Sequence, residues 1–183
     1  QRTSNEWPGV GMSVPAWLSD YSNLEMVKSG GNLVRWMHVT PWNQDIESCD
    51  RVGLIQAMPA GDAEKDVEGR RWEHRVELMR DAIIYNRNNP SIIFYECGNE
   101  NISDIHMAEM KAIRDLYDPH GGRAIGSREM LGSKVSEYGG EMLYINKSGG
   151  QPLWAMEYCR DEGLRRYWDN WSYPYHRSGD GPL

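Results

Sequence analysis

The sequence predicts an α/β fold built on a parallel sheet. Short apolar runs alternate along the chain with segments of helical periodicity, which is the pattern of repeated βα units. Several of these runs end in polar or charged side chains, as strands do at the active-site edge of an α/β barrel. With 183 residues, the chain is shorter than the roughly 200 residues that a closed eight-stranded barrel needs at minimum. We therefore expect an incomplete (β/α)8 barrel in a single domain, residues 1–183.

Six strands are expected from runs rich in β-branched and aromatic residues. They lie at 32–39, 54–59, 92–95, 123–127, 142–146 and 152–156. The run at 92–95 follows Pro90, which ends the preceding helix. It has no polar interruption, which is typical of a strand buried on both faces of a parallel sheet.

Helices are predicted between these runs, at 23–29, 45–51, 72–86, 104–116 and 161–171. The first is expected to bury Leu24 and Val27. The clearest is 72–86, whose apolar residues share one helical face: Trp72, Val76, Met79 and Ile83. Ser103 is the expected N-cap of 104–116, which should bury the face formed by Ile105, Ala108, Ala112 and Leu116. Residues 1–22 and 60–71 are predicted to be loops.

The composition excludes several classes of protein. The chain is acidic, with 27 Asp and Glu against 20 Lys and Arg and a formal net charge of -7, which argues against nucleic acid as a partner. No apolar run is long enough to span a membrane, and no signal peptide is visible. Cys49, Cys97 and Cys159 lack metal-ligand and paired spacing, so free thiols are expected. The 8 Trp and 10 Tyr provide flat faces with polar edges that suit sugar rings.

The strongest functional signal follows the strand at 92–95. This run ends in Gly98-Asn99-Glu100, so an amide and a carboxylate stand where α/β barrels carry their active sites. With the preceding Asn88-Asn89-Pro90-Ser91-Ile92-Ile93, the segment resembles the fourth barrel strand of glycoside hydrolase family 2, which includes β-galactosidases, β-glucuronidases and β-mannosidases. The resemblance implies that Glu100 is the general acid/base of a retaining mechanism and that Asn99 contacts the sugar.

A retaining mechanism needs a second carboxyl group about 5–5.5 Å from the first. Glu157 ends the run at 152–156, and Gln151-Pro152-Leu153-Trp154-Ala155-Met156-Glu157-Tyr158 resembles the seventh strand of the family, where the Glu of Glu-Tyr is the nucleophile. Glu137-Tyr138-Gly139 resembles the same motif, but no apolar run precedes it. We expect Glu157 to be the nucleophile and keep Glu137 as the alternative.

A second-strand pattern of the same family is matched by Val34-Arg35-Trp36-Met37-His38. The resemblance implies that Arg35 lies near the nucleophile and His38 near the sugar. The structural alternatives are a buried ion pair for Arg35 and a core position for His38.

Aromatic residues complete the expected site. The resemblance assigns to Tyr144 a hydrogen bond to the nucleophile, with Tyr138 close by as a competing choice. Trp154 is expected to wall the sugar subsite. Trp36 and Trp42 are further candidates for that wall, although each residue also suits a core position.

The resemblance covers roughly residues 30–171 and implies that about six of eight strands are present, with the first and eighth missing. Two open sheet edges would then need cover from the remaining domains of a parent enzyme or from a second copy of the chain. We expect that parent to be secreted or periplasmic.

The predicted function is that of a retaining exo-β-glycosidase, β-galactosidase-like, acting on a carbohydrate substrate. The alternatives are an inert carbohydrate-binding or structural barrel fragment and a β-mannosidase or β-glucuronidase relative. The metal-ligand pattern of some β-galactosidases is not visible, so no metal or other cofactor is expected. The strand at 54–59 ends in Gln56-Ala57-Met58-Pro59, where many family members carry an acidic pair.

Overall fold

The computed structural model describes residues 2–4, 10–11, 13–36, 38–61, 65–141 and 149–156. These residues form seven strands and four helices in alternating order over the first two thirds of the chain. The strands are β1 (Arg2–Ser4), β2 (Leu33–Trp36), β3 (Ile55–Pro59), β4 (Ile92–Glu96), β5 (Ala124–Arg128), β6 (Tyr138–Glu141) and β7 (Leu153–Ala155). The helices are α1 (Ala16–Lys28), α2 (Asn43–Val52), α3 (Gly69–Asn86) and α4 (Asp104–Tyr117).

The sheet is parallel throughout, and its strands lie in sequential order from β1 to β7. Each of the four helices connects two neighbouring strands, as parallel pairing requires. The predicted α/β fold is confirmed, and the arrangement is that of an incomplete (β/α)8 barrel. All C-terminal strand ends therefore meet at one edge of the sheet.

Two parts of the sheet differ from expectation. The segment Arg2–Ser4, predicted to be a loop, pairs with β2 as a short additional strand. The strand before β7 is Tyr138–Glu141, whereas the run predicted at 142–146 lies outside the described residues. This strand shows no apolar pattern, because Gly139 carries no side chain. Glycine is needed at this position, since a Cβ there would lie 2.5 Å from the backbone nitrogen of Leu131. The strand forms through close backbone approach instead of large side chains.

The main core lies between the sheet and the helices α3 and α4. The face of α3 predicted from its periodicity is buried, but the face predicted for α4 is wrong, since Ile105 is 81% and Leu116 67% exposed. α4 instead buries Met107 and Met110 against the sheet. Their flexible thioethers fill this space. The same orientation of α4 brings Arg114 to the carboxylate of Glu137 on the loop before β6.

The contact between α1 and α2 includes buried polar groups, and only part of the apolar stripe expected for α1 is packed, since Val27 lies against a hydrophobic cluster and Leu24 does not. Leu24 is 41% exposed, and α1 begins at Ala16, upstream of the predicted start. Ser19 donates a hydrogen bond to Asp45, and Asn23 donates one of 3.0 Å to Ser48. Buried polar groups satisfied in this way fix the helix pair beside the small apolar cluster that Met26 and Val27 of α1 join with Cys49 and Val52 of α2. None of the helices in the described ranges is long and apolar enough to cross a membrane.

Candidate active site

Charged side chains collect at the C-terminal edge of the sheet. Strand alternation decides which of them face the barrel interior: Val34 and Trp36 pack in the helix-facing cluster, so Arg35 points to the opposite side. Tyr95 likewise packs with the helices, which turns Glu96 inward. The charged and amide residues at this edge, in chain order, are Arg35, Glu96, Asn99, Glu100, Arg128 and Glu141.

Arg35 and Glu96 form a buried ion pair inside the barrel. Their side chains are 0% and 2% exposed. Arg35 Nε donates to both Glu96 carboxylate oxygens, at 2.9 and 3.1 Å, and Nη2 donates to Glu96 and, at 3.0 Å, to Asn99 Oδ1. The guanidinium is thereby fixed in orientation. It also holds the Asn99 amide, which connects β2 to the segment that carries Glu100.

Glu100 forms an ion pair with Arg128, the last residue of β5. The two residues that immediately follow the pair, Asn101 and Glu129, have positive φ angles of 55° and 67°. Such left-handed backbone is uncommon outside glycine and often marks functional sites. The chain therefore turns sharply just after both members of the pair, which keeps their side chains at the strand ends.

The loop after β3 holds the backbone of Glu100 in place. Lys65 forms a parallel bridge with Glu100, and Asp66 N donates to Glu100 O at 3.1 Å. The Asp66 carboxylate contacts His106 Nδ1 at 2.7 Å and accepts from Ser103 N at 3.1 Å. Burial raises the pKa of Asp66, but these hydrogen bonds outweigh it and lower the pKa overall. Ser103 also caps α4 as predicted, accepting from His106 N.

Glu137, the alternative nucleophile, lies at the other end of the sheet. It precedes β6, and its carboxylate accepts two hydrogen bonds of 2.8 Å from Arg114 and one of 3.0 Å from Ile125 N. Lys111 Nζ is 3.1 Å away. Arg114 is the main cause that lowers the pKa of Glu137 to about 2. This position, at the N-terminal edge of β5 and β6, argues against Glu137 as the partner of Glu100.

The Arg114–Glu137 pair predicts a pH-dependent stability. Because the folded pKa of Glu137, about 2, is below its ordinary 4.5, the pair stabilises the fold above about pH 4.5 and this contribution is lost as the pH falls towards 2. We expect the thermal midpoint of Glu137→Gln to be lower than that of the wild type at pH 6, with a difference that shrinks below pH 4.5. Glu25→Gln, in an exposed pair, is the control; an equal effect there would contradict the assignment.

An aromatic group fills the interior beside these ion pairs. The ring centroid of Trp154 is 5.2 Å from that of Phe94 and 5.7 Å from that of Tyr138. Tyr138 donates its hydroxyl to Tyr95 O at 2.8 Å, and complete burial raises the pKa of this hydroxyl. Tyr138 is therefore a structural residue, while Trp154 lies on the interior side expected of a residue that walls a subsite.

The remaining predicted residues are dispersed or lie outside the described ranges. His38 is half-buried, two residues after the end of β2. Trp36 faces the helices and donates to Gln56 Oε1 at 2.8 Å, so it takes the core position that the sequence left open beside a place in the sugar subsite. Trp42 is 53% exposed at the start of α2. Glu157, the expected nucleophile, and Tyr144 lie outside the described residues, as does Cys159.

Three charged residues at this edge had no expected role from the sequence: Glu96, Arg128 and Glu141. Glu96 had a signal, because Arg35 in an apolar strand requires an anion and Glu96 directly follows the buried run at 92–95. Arg128 had none beyond its place at a strand end. Glu141 is 7% exposed at the end of β6, a strand that the apolar pattern placed elsewhere. Among the described residues, no group of three His, Cys, Asp or Glu is arranged to hold a metal ion.

Comparisons with known proteins are consistent with this fold. No family model matches the chain. It is 34% identical over 175 residues to a β-glucuronidase of Formosa agariphila, covering 92% of this chain and 18% of the relative. Among solved structures, it is 30% identical to a β-glucuronidase from glycoside hydrolase family 2, with a TM-score of 0.71 and coverage of 84% and 16% of the two chains. A putative β-galactosidase from Bacteroides fragilis shares the fold, with 21% identity, a TM-score of 0.64 and coverage of 77% and 22%.

The incomplete parallel barrel with carboxylates at its C-terminal edge suits a glycoside hydrolase, and the two relatives of 34% and 30% identity place the chain among the (β/α)-barrel glycoside hydrolase relatives. The chain belongs to glycoside hydrolase family 2, and it corresponds to part of the catalytic barrel of that family. It spans less than one fifth of the length of the two β-glucuronidases.

Proposed function

We propose that the chain contributes the catalytic centre of a retaining exo-β-glucuronidase. The observation that carries this proposal is the position of Glu100, which follows β4 at the C-terminal edge beside Asn99 and forms an ion pair there with Arg128. A carboxyl group at this position can protonate a leaving oxygen and later deprotonate water, the two tasks of the acid/base in a double displacement.

The other roles follow from the family resemblance and the described geometry. Glu157 is the proposed nucleophile, supported by Tyr144. Asn99 contacts the sugar, and the hydrogen bond from Arg35 to its Oδ1 orients the amide so that its NH2 group can donate to a sugar hydroxyl. We assign sugar contacts to His38 and Trp154 as well. Arg35 would support the nucleophile indirectly, through its contacts with Glu96 and Asn99.

The comparisons favour a different substrate class. The sequence favoured a β-galactosidase-like activity, with β-mannosidase or β-glucuronidase as an alternative. The relatives of 34% and 30% identity are both named β-glucuronidases, so we propose a glucuronide substrate. We further propose that other domains of the full-length protein, or a second copy, cover β1 and β7, the two ends of the described sheet.

The test uses the full-length protein with 4-nitrophenyl β-D-glucuronide, β-D-galactoside and β-D-mannoside. We expect kcat/KM to be highest for the glucuronide, and proton NMR to show the β-anomer of glucuronic acid as the first product. A higher kcat/KM for the galactoside would overturn the substrate class. Release of the α-anomer first would overturn retention, and no hydrolysis of any substrate would favour the inert barrel fragment.

A further inference from the structure

Glu100 lies beyond the regular pairing of the sheet. It stands four residues after Glu96, the last residue of β4, and the pairing of β4 with both neighbouring strands ends at Glu96. Further along, Lys65 forms a parallel bridge with Glu100, and Asp66 N donates to Glu100 O at 3.1 Å. The position of the proposed acid/base therefore depends on the loop between β3 and α3.

The side chain of Asp66 extends this contact to the far end of the turn that follows Glu100. Its Oδ2 accepts a hydrogen bond of 3.1 Å from Ser103 N. Between the two contacts, Asn101 has a left-handed backbone with φ of 55°, a conformation that residues other than glycine adopt only where the surrounding structure supports it. Asp66 therefore clamps both ends of a strained turn, and the direction of the Glu100 side chain depends on that turn.

His106 of α4 holds the Asp66 carboxylate in its turn. Its Nδ1 is 2.7 Å from Asp66 Oδ1, and its ring stacks on Trp72 of α3 with a centroid distance of 3.7 Å and an interplanar angle of 13°. The side chains of His106 and Asp66 are only 11% and 18% exposed. Because an ionised carboxylate can only accept, Nδ1 is the ring nitrogen that carries a proton. A chain of contacts thus runs from the interface of α3 and α4 to Glu100.

We propose that Asp66 and His106 are positioning residues, which set the direction of the Glu100 carboxyl group for proton transfer to the leaving oxygen. This inference rests on the proposed function, in which Glu100 is the acid/base. In this role neither residue touches the substrate: Asp66 acts through the backbone of Glu100, and His106 acts through Asp66.

Proton transfer is sensitive to such positioning. The acid must lie within hydrogen-bonding distance of the leaving oxygen, and a displacement of about 1 Å can lower a rate by about 10²-fold. Loss of the Asp66–His106 contact should therefore slow the bond cleavage that needs an acid. It should spare the cleavage of bonds whose leaving group departs without a proton, which a general loss of structure would not do.

Asp66→Asn tests this role with almost no change in side-chain volume. Both carboxylate oxygens of Asp66 accept hydrogen bonds, whereas an amide offers one acceptor and turns its NH2 group towards another donor, that of Ser103 or of His106. We expect the single-turnover rate of the full-length variant on alkyl β-D-glucuronides to fall about 10- to 100-fold. The rate on 2,4-dinitrophenyl β-D-glucuronide and the affinity for both substrates should be unchanged.

Two substitutions of His106 separate its hydrogen bond from its ring packing, and they decide the matter even if Asp66→Asn does not fold. His106→Phe keeps a ring against Trp72 but has no donor for Asp66. His106→Asn loses the stacking but can place an amide N–H near the position of Nδ1. We expect His106→Phe to lose activity on alkyl glucuronides selectively, and His106→Asn to retain most of it. The reverse order would overturn the inference, because ring packing would then be what the site requires.

Glu109 provides a matched control on the same pair of helices. Its Oε2 accepts a hydrogen bond of 2.7 Å from Trp72 Nε1, so Glu109→Ala weakens the contact of α3 with α4 and leaves the Asp66 contacts in place. We expect a lower thermal midpoint and an unchanged ratio of the rates on the two leaving groups. A selective loss as large as that of Asp66→Asn would show that general loosening of the helices is sufficient, and would overturn the assignment.

Failure of the inference differs from failure of the proposed function. If Glu100→Gln slows poor leaving groups selectively, while Asp66→Asn and His106→Phe slow both substrates equally or neither of them, the inference alone is overturned. If Glu100→Gln itself shows no dependence on the leaving group, Glu100 is not the acid, and the proposed function and the inference are both overturned.

Discussion

Glu100→Gln is expected to slow the hydrolysis of alkyl β-D-glucuronides by about 10²- to 10⁴-fold in the full-length protein, the usual contribution of a general acid. The first step on 2,4-dinitrophenyl β-D-glucuronide should be nearly unaffected, because this leaving group departs without protonation. Glu157→Gln should suppress turnover of both substrates, since the covalent intermediate cannot form without the nucleophile. The measurement is single-turnover rate against leaving-group pKa for each variant.

The chain offers a matched control for this experiment. Glu137 occurs in the same Glu-Tyr dipeptide as Glu157, but it is bound to Arg114 at the N-terminal edge of the sheet. We expect Glu137→Gln to retain the wild-type rate on both substrates. A Glu137→Gln variant as inactive as Glu157→Gln, or equal losses for Glu100→Gln on good and poor leaving groups, would contradict the division of roles.

The fold was predictable because its elements are marked by local patterns. The strand β4 was predicted correctly from its unbroken apolar run, and the buried face of α3, from Trp72 to Ile83, from its helical periodicity. β6 was missed because two of its four residues, Gly139 and Gly140, carry no side chain and pair through the backbone. The buried face of α4 was missed because Arg114 and Glu137 select it through a contact between distant parts of the chain.

The candidate site was predictable only where a residue carries its own signal. Asn99 and Glu100 stand at the end of a buried strand, and Arg35 interrupts an apolar one. Each of these residues departs from the apolar pattern of its own segment, so it can be recognised by comparison with its neighbours in sequence. The partners of these residues could not be found in this way, because the approach of β2 and β4 across β3, and the pairing of β4 with β5, are properties of the folded sheet. The structure was therefore needed to assign Glu96 as the partner of Arg35 and Arg128 as the partner of Glu100.

The frame that holds Asn99 depends on the Arg35–Glu96 pair, and its loss is the largest stability effect that we expect. Arg35→Met leaves the Glu96 carboxylate buried, with 2% exposure, and without its cation. Breaking a buried pair in this way costs about 3–5 kcal/mol. The urea midpoint of the catalytic domain in the full-length protein should fall accordingly. Arg51→Met, which breaks an exposed pair with Asp20 of 47% and 44% exposure, should cost about 0.2–1 kcal/mol.

A double-mutant cycle separates the pair from its surroundings. Arg35→Met combined with Glu96→Leu removes both charges together, so the double variant should be more stable than either single variant. It should nevertheless remain less active than the wild type, because Asn99 Oδ1 has lost the donor that orients its amide. Additive losses in the cycle would show that Arg35 and Glu96 are not energetically coupled. A double variant with full activity would show that Asn99 does not need Arg35 to hold the sugar.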